Sequence, residues 1–388
     1  MIYIDNNATT RVADEVVAAM QPFFTDVYAN PSSMYAFALE AKQPLEAARA
    51  AVARLVNAAH ADEIIFTSCG TESDNAAILG VLAAQPRKNH VVTTAVEHPA
   101  VYNLGEELQR RGYKVTYLPV DRGGRIDLAA LRATLTDTTA LVSMMWANNE
   151  TGVLFPIAEA CAIAHEHGVV FHTDAVQAAG KVPIDVEATG VDLLSLSGHK
   201  IHAPKGVGAL YVRRGTRTRP LLLGGHQEHG RRAGTENVPY AVALGAAADL
   251  AAQHLADEIT RVGALRDRLE SELLARIPNA HVNGDHAART PNTTNITFQY
   301  VEGEAILLSL SDVGICASSG SACSSGSLEP SHVLRAMGLS HDEAHGAIRF
   351  SLSRYNTDAE IDAVIDELPP IIARLRAMSP FTPRELMA

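Results

Sequence analysis

Cysteine is scarce in this chain: four residues in 388, at positions 69, 161, 316 and 323. They are scattered and form no Cys-x-x-Cys pair, which excludes a disulfide-stapled scaffold and argues against a structural zinc site. No run of about 18 apolar residues occurs, so no membrane span is expected. The most apolar stretch, Ala241–Ala248, is alanine-rich and ends at Asp249. Basic residues are outnumbered, 32 against 44, leaving a net charge of −12. A nucleic-acid partner is therefore not expected, because such proteins carry a basic footprint. The opening residues Met-Ile-Tyr-Ile-Asp-Asn-Asn have neither the basic nor the apolar part of a secretory leader. With few thiols, the expectation is a reducing, cytoplasmic setting. What the chain has in plenty is apolar residues, 47%, which excludes disorder as its main state.

The first two-thirds alternates β-branched runs with alanine-rich segments. Strands are expected at Glu63–Thr67, His90–Ala95, Lys114–Val120, Ala140–Trp146, Val169–Thr173, Leu193–Ser197 and Ala209–Arg213. Helical patterns fall between most of them, at Thr71–Ala84, Val101–Arg111, Leu128–Leu135 and Ile157–His167. Such alternation gives right-handed crossovers and a mainly parallel α/β sheet with helices on both faces. Ligands of such sheets sit beyond the carboxyl ends of the strands. After Arg213 the pattern changes. A Gly/Arg-rich loop (Gly224–Gly234) precedes a long helical stretch (Ala241–Arg276), then short strands, then a helix over Asp358–Met378 interrupted by Pro369 and Pro370. The expected organisation is a large α/β domain over 15–260 and a smaller α+β domain from 1–14 and 261–388.

Four strand-end loops carry candidate chemistry. Lys200 stands in Ser197-Gly-His-Lys200, between a strand and a glycine-rich turn. A lysine amine placed there can take a carbonyl compound covalently, pyridoxal phosphate included; the plain alternative is a solvated loop lysine. Asp174 ends another strand and can hold a pyridine nitrogen protonated, with Gln177 three residues on; the alternative is a helix cap. Phe66-Thr-Ser-Cys-Gly-Thr-Glu-Ser73 passes from strand to helix through small residues, a pattern whose backbone N–H groups suit a phosphate. His98 follows a fourth strand, where a flat imidazole can stack on an aromatic ring and move protons. Each signal alone is modest; four together are not easily an accident.

These blocks, with Asp5-Asn-Asn-Ala-Thr-Thr10, Asn30-Pro-Ser-Ser33, Trp146-Ala-Asn-Asn-Glu-Thr-Gly152, Arg231-Arg-Ala-Gly-Thr-Glu-Asn237, Ser318-Ser-Gly-Ser-Ala-Cys323 and Ile348-Arg-Phe-Ser-Leu-Ser-Arg354, resemble a cysteine desulfurase of the class V, fold-type I pyridoxal-phosphate enzymes, NifS type. The likeness runs from residue 2 to about 380. It implies that Lys200 carries the cofactor, Asp174 pairs with its ring nitrogen, Gln177 with its ring oxygen, and that His98 stacks on the ring. Gly70, Thr71, Ser197 and His199 would hold the phosphate. Thr235 would reach the cofactor of a neighbouring subunit, making a homodimer part of the site. Asn149 and Arg349 would clamp the substrate carboxylate. Cys323, in the Ser/Gly-rich segment 318–328, would take sulfur from L-cysteine as a persulfide, leaving alanine, and pass it to an iron–sulfur scaffold protein, nitrogenase cluster supply being the implied destination. Transient contact of Cys323 with a partner's cluster is the only metal contact implied.

Two features depart from that pattern: Tyr35 where a histidine is usual with Ala38 near a usual glycine, and a tail to Ala388 that is short for this branch. Cys69, Cys161 and Cys316 read as packed thiols. A selenocysteine lyase or an aminotransferase is the nearest alternative. An aminotransferase has no use for the thiol at 323. An iron–sulfur scaffold would need three or four clustered thiolates, and only Cys316 and Cys323 are close in sequence.

Overall fold

The computed structural model describes residues 1–319 and 330–383. Cys323 and most of the 318–328 segment lie outside the described residues. The strands are β1 (Ile2–Tyr3), β2 (Ile64–Thr67), β3 (His90–Thr94), β4 (Lys114–Leu118), β5 (Thr139–Ser143), β6 (Val170–Asp174), β7 (Leu193–Ser197), β8 (Gly208–Val212), β9 (Ala280–Val282), β10 (Thr293–Phe298), β11 (Ile315–Cys316) and β12 (Ala347–Ser351). Seven of them form one sheet in the order β2-β8-β7-β6-β5-β3-β4. Only β8 runs antiparallel to its neighbours β2 and β7; the other pairings are parallel. β2, β3, β6 and β7 therefore end at the same edge, which gathers the loops after Thr67, Thr94, Asp174 and Ser197.

The sheet is buried on both faces because both residue parities are apolar. Ile65, Val91, Leu141 and Leu193 enter one core with Ile78, Val81 and Leu104. Ile64, Val92, Val142 and Leu194 enter the other with Val52, Phe171 and Leu244. This is the continuous apolar run expected of a parallel sheet covered by crossover helices. A third core is built on the antiparallel sheet β12-β10-β9 and the Gly263–Arg276 and Asp358–Met378 helices. Ile4, beside the β1–β11 pair, packs there too. No helix among the described residues is long and apolar enough to cross a membrane.

Local chemistry fixes the helix starts that matter. Cys69 caps Gly70–Ala84, its Sγ accepting from Glu72 N. His98 caps Pro99–Arg110, with Pro99 at the first helical position, where a missing N–H costs nothing. Two expectations are corrected. The C-terminal helix runs unbroken from Asp358 to Met378 through Pro369 and Pro370. Leu368, Ile371 and Ile372 are buried on either side of the prolines, and that packing outweighs the lost backbone bonds. The stretch Ala241–Arg276 is not one helix. Val238–Asp257 and Gly263–Arg276 are joined by a π-helical turn, Glu258–Val262, and the chain changes core there: Ala251 belongs to the sheet core, Val262 to the third.

The loop ahead of Val238 is pinned by a buried ion pair. Arg49 donates to Glu228 Oε2 at 2.5 Å and Oε1 at 3.1 Å, and to Ile64 O at 2.8 Å. Its guanidinium lies over the Phe66 ring. Glu228 and His229 both take left-handed backbone conformations (φ 49° and 57°). Arg49→Ala leaves the Glu228 carboxylate buried and unpaired. The expected loss of stability is about 3–5 kcal/mol by denaturant unfolding; a loss below about 1 kcal/mol, the scale of an exposed pair, would show that this contact does not hold the loop.

Candidate active site

Lys200 lies in a one-turn helix, Gly198–Lys200, directly after β7. Its Nζ donates to the backbone carbonyl of Asn7 and, at 2.7 Å, to that of Ala8. Asn7 receives more than this amine. Its carbonyl also accepts from Gln177 Nε2 at 2.9 Å. Its side chain donates to Asn149 O at 3.1 Å and Thr293 Oγ1 at 2.8 Å, and accepts from Asn292 Nδ2 at 3.1 Å. Its N–H reaches Ser351 Oγ. One buried asparagine so ties the lysine loop, the β6 loop, the Asn149 loop and the third core together. Arg349, on β12, completes the wall: Nη1 donates to Asn149 O at 3.0 Å and Nη2 to Asp5 Oδ1 at 2.7 Å.

Burial sets the protonation of the groups around Lys200. Asp174 is 6% exposed; desolvation pushes its carboxyl up to about 6, against an N–H from Val176 at 2.9 Å and the nearby Lys200. Behind it lie two more buried acids. Asp74 is raised by burial and by Asp174, and Glu97 is pushed up to about 8 by burial. The imidazoles move the other way. His98 falls to about 4 through burial and the Lys200 charge, and His199 to about 4 for the same two reasons. His98 Nδ1 accepts from Ala100 N at 3.1 Å, which leaves the proton of the neutral ring on Nε2.

The Gly70–Ala84 helix points its N-terminus at this edge. The first N–H groups of a helix have no intrahelical acceptor, so those of Gly70 and Thr71 are left for an anion. A Cβ at Gly70 would stand 2.9 Å from Val176 Cγ2 and 3.4 Å from Ser197 Cβ, so bare backbone lies against the β7 end. His199 Nδ1 contacts Thr9 Oγ1 at 3.1 Å. Thr235 lies apart from these contacts, on the exposed connection before Val238–Asp257. Cys161 is buried, whereas Cys69 and Cys316 are half-buried; Cys316 pairs with Tyr3 in the β1–β11 ladder. Tyr35 is an exposed helix cap and Ala38 is fully buried.

Comparison with known proteins is decisive about kinship. Residues 2–364 match the aminotransferase class-V family. The chain is 62% identical over 382 residues to "Cysteine desulfurase 2" of Trichormus variabilis, covering 98% of this chain and 96% of that one. It belongs to the class-V aminotransferase family. Within the family, "Cysteine desulfurase NifS" of Azotobacter vinelandii is 60% identical over 380 residues, 98% of this chain and 94% of that one. A solved "NIFS-LIKE PROTEIN" superimposes with a TM-score of 0.90 at 38% identity, over 96% of this chain and all of the other.

The cofactor of this family is pyridoxal phosphate, and the residues present fit it. Asp174 is a buried acid whose carboxyl is driven upward by desolvation, so a cationic ring nitrogen beside it would be favoured. Gly70 offers a cradle that a Cβ would fill. Asn149 Oδ1 and Arg349 Nε are buried without a partner among the described residues. Asn7 and Lys181 were not assigned roles from sequence. A pair of asparagines directly after an apolar strand, with no turn glycine, was the available signal for Asn7.

Two outcomes follow. Asp174→Asn keeps the shape but cannot balance a ring charge; turnover of the reconstituted protein should fall by on the order of 100-fold with the cofactor still bound, and a fall under threefold would remove Asp174 from that role. In an NMR titration His98 should remain neutral from pH 8 to pH 5 and take its proton near 4. Protonation at the ordinary histidine value of 6.5 would contradict the burial argument.

Proposed function

We propose that this protein is a cysteine desulfurase that converts L-cysteine to L-alanine and carries the released sulfur on Cys323. The observation that carries the reading is near-full-length identity to chains named cysteine desulfurase, 62% over 98% of this chain. The gathering of Asp174 and His98 around Lys200, with Arg349 joined to the same seam through the Asn149 carbonyl, supports it. Pyridoxal phosphate, when bound, supplies a carbonyl carbon that takes amines covalently and a ring that stores an electron pair.

The chain's own residues do the rest. Asp174 pairs with the ring nitrogen, Gln177 and His98 hold the ring, and Gly70, Thr71, Ser197 and His199 hold the phosphate. Arg349, with Asn149 behind it, binds the substrate carboxylate in place of its present contact with Asp5. Once free, the Lys200 amine takes the proton from the substrate Cα and later returns it. A thiolate, not a thiol, attacks, and the neutral His98 ring presents an Nε2–H that can donate a hydrogen bond to that thiolate. Cys323 Sγ attacks the substrate sulfur. An S–S bond forms, the S–Cβ bond breaks, and its electron pair leaves toward Cβ, which takes a proton to become the alanine methyl. The sulfur remains on Cys323 as a persulfide.

In the same reading the enzyme is a cytoplasmic homodimer in which Thr235 serves the partner's cofactor, and an iron–sulfur scaffold protein receives the sulfur. The name of the Azotobacter relative, NifS, supports nitrogenase cluster supply as the destination. The division into 15–260 and 1–14 with 261–388 is supported by the change of core at the Glu258–Val262 turn.

Alanine formation from L-cysteine with a reductant, compared between the wild type and Cys323→Ala, tests the function. Wild type should form alanine and sulfide. The variant should keep its yellow colour and lose at least about 100-fold in alanine formation. A variant that retains activity would make this a thiol-independent lyase.

A further inference from the structure

Among the described residues Lys181 is the only buried lysine, and the reaction above leaves it unused. The chain goes to some length to bury it. Gly180 turns at φ +70°, and a Cβ there would stand 3.0 Å from Ala251 Cβ and 3.3 Å from Ile201 Cγ2. That close approach sets Lys181 between the lysine loop and the Val238–Asp257 helix. Its Nζ donates to Gln177 Oε1 at 2.7 Å and to Asn7 Oδ1 at 3.4 Å. Asn7 is the residue whose carbonyl receives both Lys200 and Gln177.

The geometry decides which way the Gln177 amide faces. An ammonium can only donate, so the atom it meets must be the amide oxygen. The Gln177 NH2 then lies on the other side, where one N–H goes to Asn7 O and the second remains for an acceptor in the pocket. A counter-charge stands behind. The π turn at Glu258–Val262 carries Glu258 into the protein, and such turns are frequent at functional sites. Lys181, Glu258 and Lys200 line one cavity of about 20 Å³, room for a single water. The charged groups facing Lys181 are Lys200 and Arg349, which oppose its charge, and Glu258, which favours it; His199 and His202 feel its charge in turn.

We propose that Lys181 is a positioning residue for the cofactor's ring oxygen: it locks Gln177 as a donor toward that oxygen, and its charge favours the oxygen's anionic form. The proposal rests on the assignment of Gln177 to the ring oxygen made above. Burial and the Lys200 charge bring Lys181 down to about 7, and burial brings Glu258 up to about 7. The lock is thus set near neutrality, where small changes in its surroundings alter its charge.

The test is a pH titration of the visible absorption band of the pyridoxal-phosphate-loaded protein, for wild type, Lys181→Met, Lys181→Gln and Lys181→Arg. Removing a positive charge beside the ring makes a proton on the ring's lysine linkage easier to keep. The midpoint should therefore rise by about one pH unit in the Met and Gln variants and stay near the wild-type value in Arg. In a Gln177→Leu background, Lys181→Met should shift the midpoint by less than it does with Gln177 present, because only the direct effect of the charge is left. The Gln variant keeps a polar side chain in the site and stands in if Met does not fold. A midpoint unmoved in either neutral variant that binds the cofactor overturns the proposal, as does an Arg variant that shifts as far as Met. A wild-type protein that takes up no pyridoxal phosphate would instead overturn the function.

Discussion

A single backbone carbonyl, that of Asn7, receives the Lys200 amine and the Gln177 amide at once. Asn7 lies where the loops at the carboxyl edge of the large sheet meet the β10–β12 sheet, and the polar groups it joins there are out of water. A buried polar group without a partner costs about as much as several surface contacts yield. The asparagine answers that cost from all of its polar atoms, reaching Ser351, Asn149, Thr293, Asn292 and Lys181. The short β1 strand pairs with β11 and holds the N-terminal segment across the mouth of the large sheet. Position of the reactive amine is thereby a consequence of satisfying a seam, and the loops after β6 and β7 inherit their geometry from it.

Desolvation then does for charge what Asn7 does for hydrogen bonds. Carboxyls at 74, 97, 174 and 258 are driven upward, and the imidazoles at 98, 172, 199 and 202 downward. Burial thus penalises charge throughout the floor beneath the site. His172, buried between Ser143 and Ser195 with Asp74 Oδ1 3.6 Å away, is held neutral by burial. Arginine cannot neutralise itself this way, and Arg349 is met by Asp5 and a carbonyl. In such surroundings one added charge, on substrate or on Lys181, is felt strongly.

Much of this was legible in the residues. The strand–helix alternation locates the sheet because both parities of each strand are apolar, and the rule that ligands gather at carboxyl ends then points to Asp174, Lys200, His98 and Gly70. Other features were not legible, for physical reasons. Asn7 works through contacts with residues 142 or more positions away in sequence, and Lys181, though four residues from Gln177, also meets Asn7 174 positions away; no local pattern encodes either long-range contact. The helix through Pro369 and Pro370 persists because of packing on both sides, a tertiary effect that overrides propensity. The π turn at Glu258 leaves no mark in an alanine-rich run whose period scarcely changes. β1 and β11, two residues each, are too short to alternate.

In the proposed reaction sulfur leaves L-cysteine onto one particular thiol of four. Peptide mass spectrometry of the wild-type holoenzyme, after a brief incubation with L-cysteine and no reductant, tests this most directly. One additional sulfur atom is expected on the peptide bearing Cys323 and none on those bearing Cys69, Cys161 or Cys316. Sulfur on another cysteine, or alanine formed with no sulfur on the protein, would contradict it.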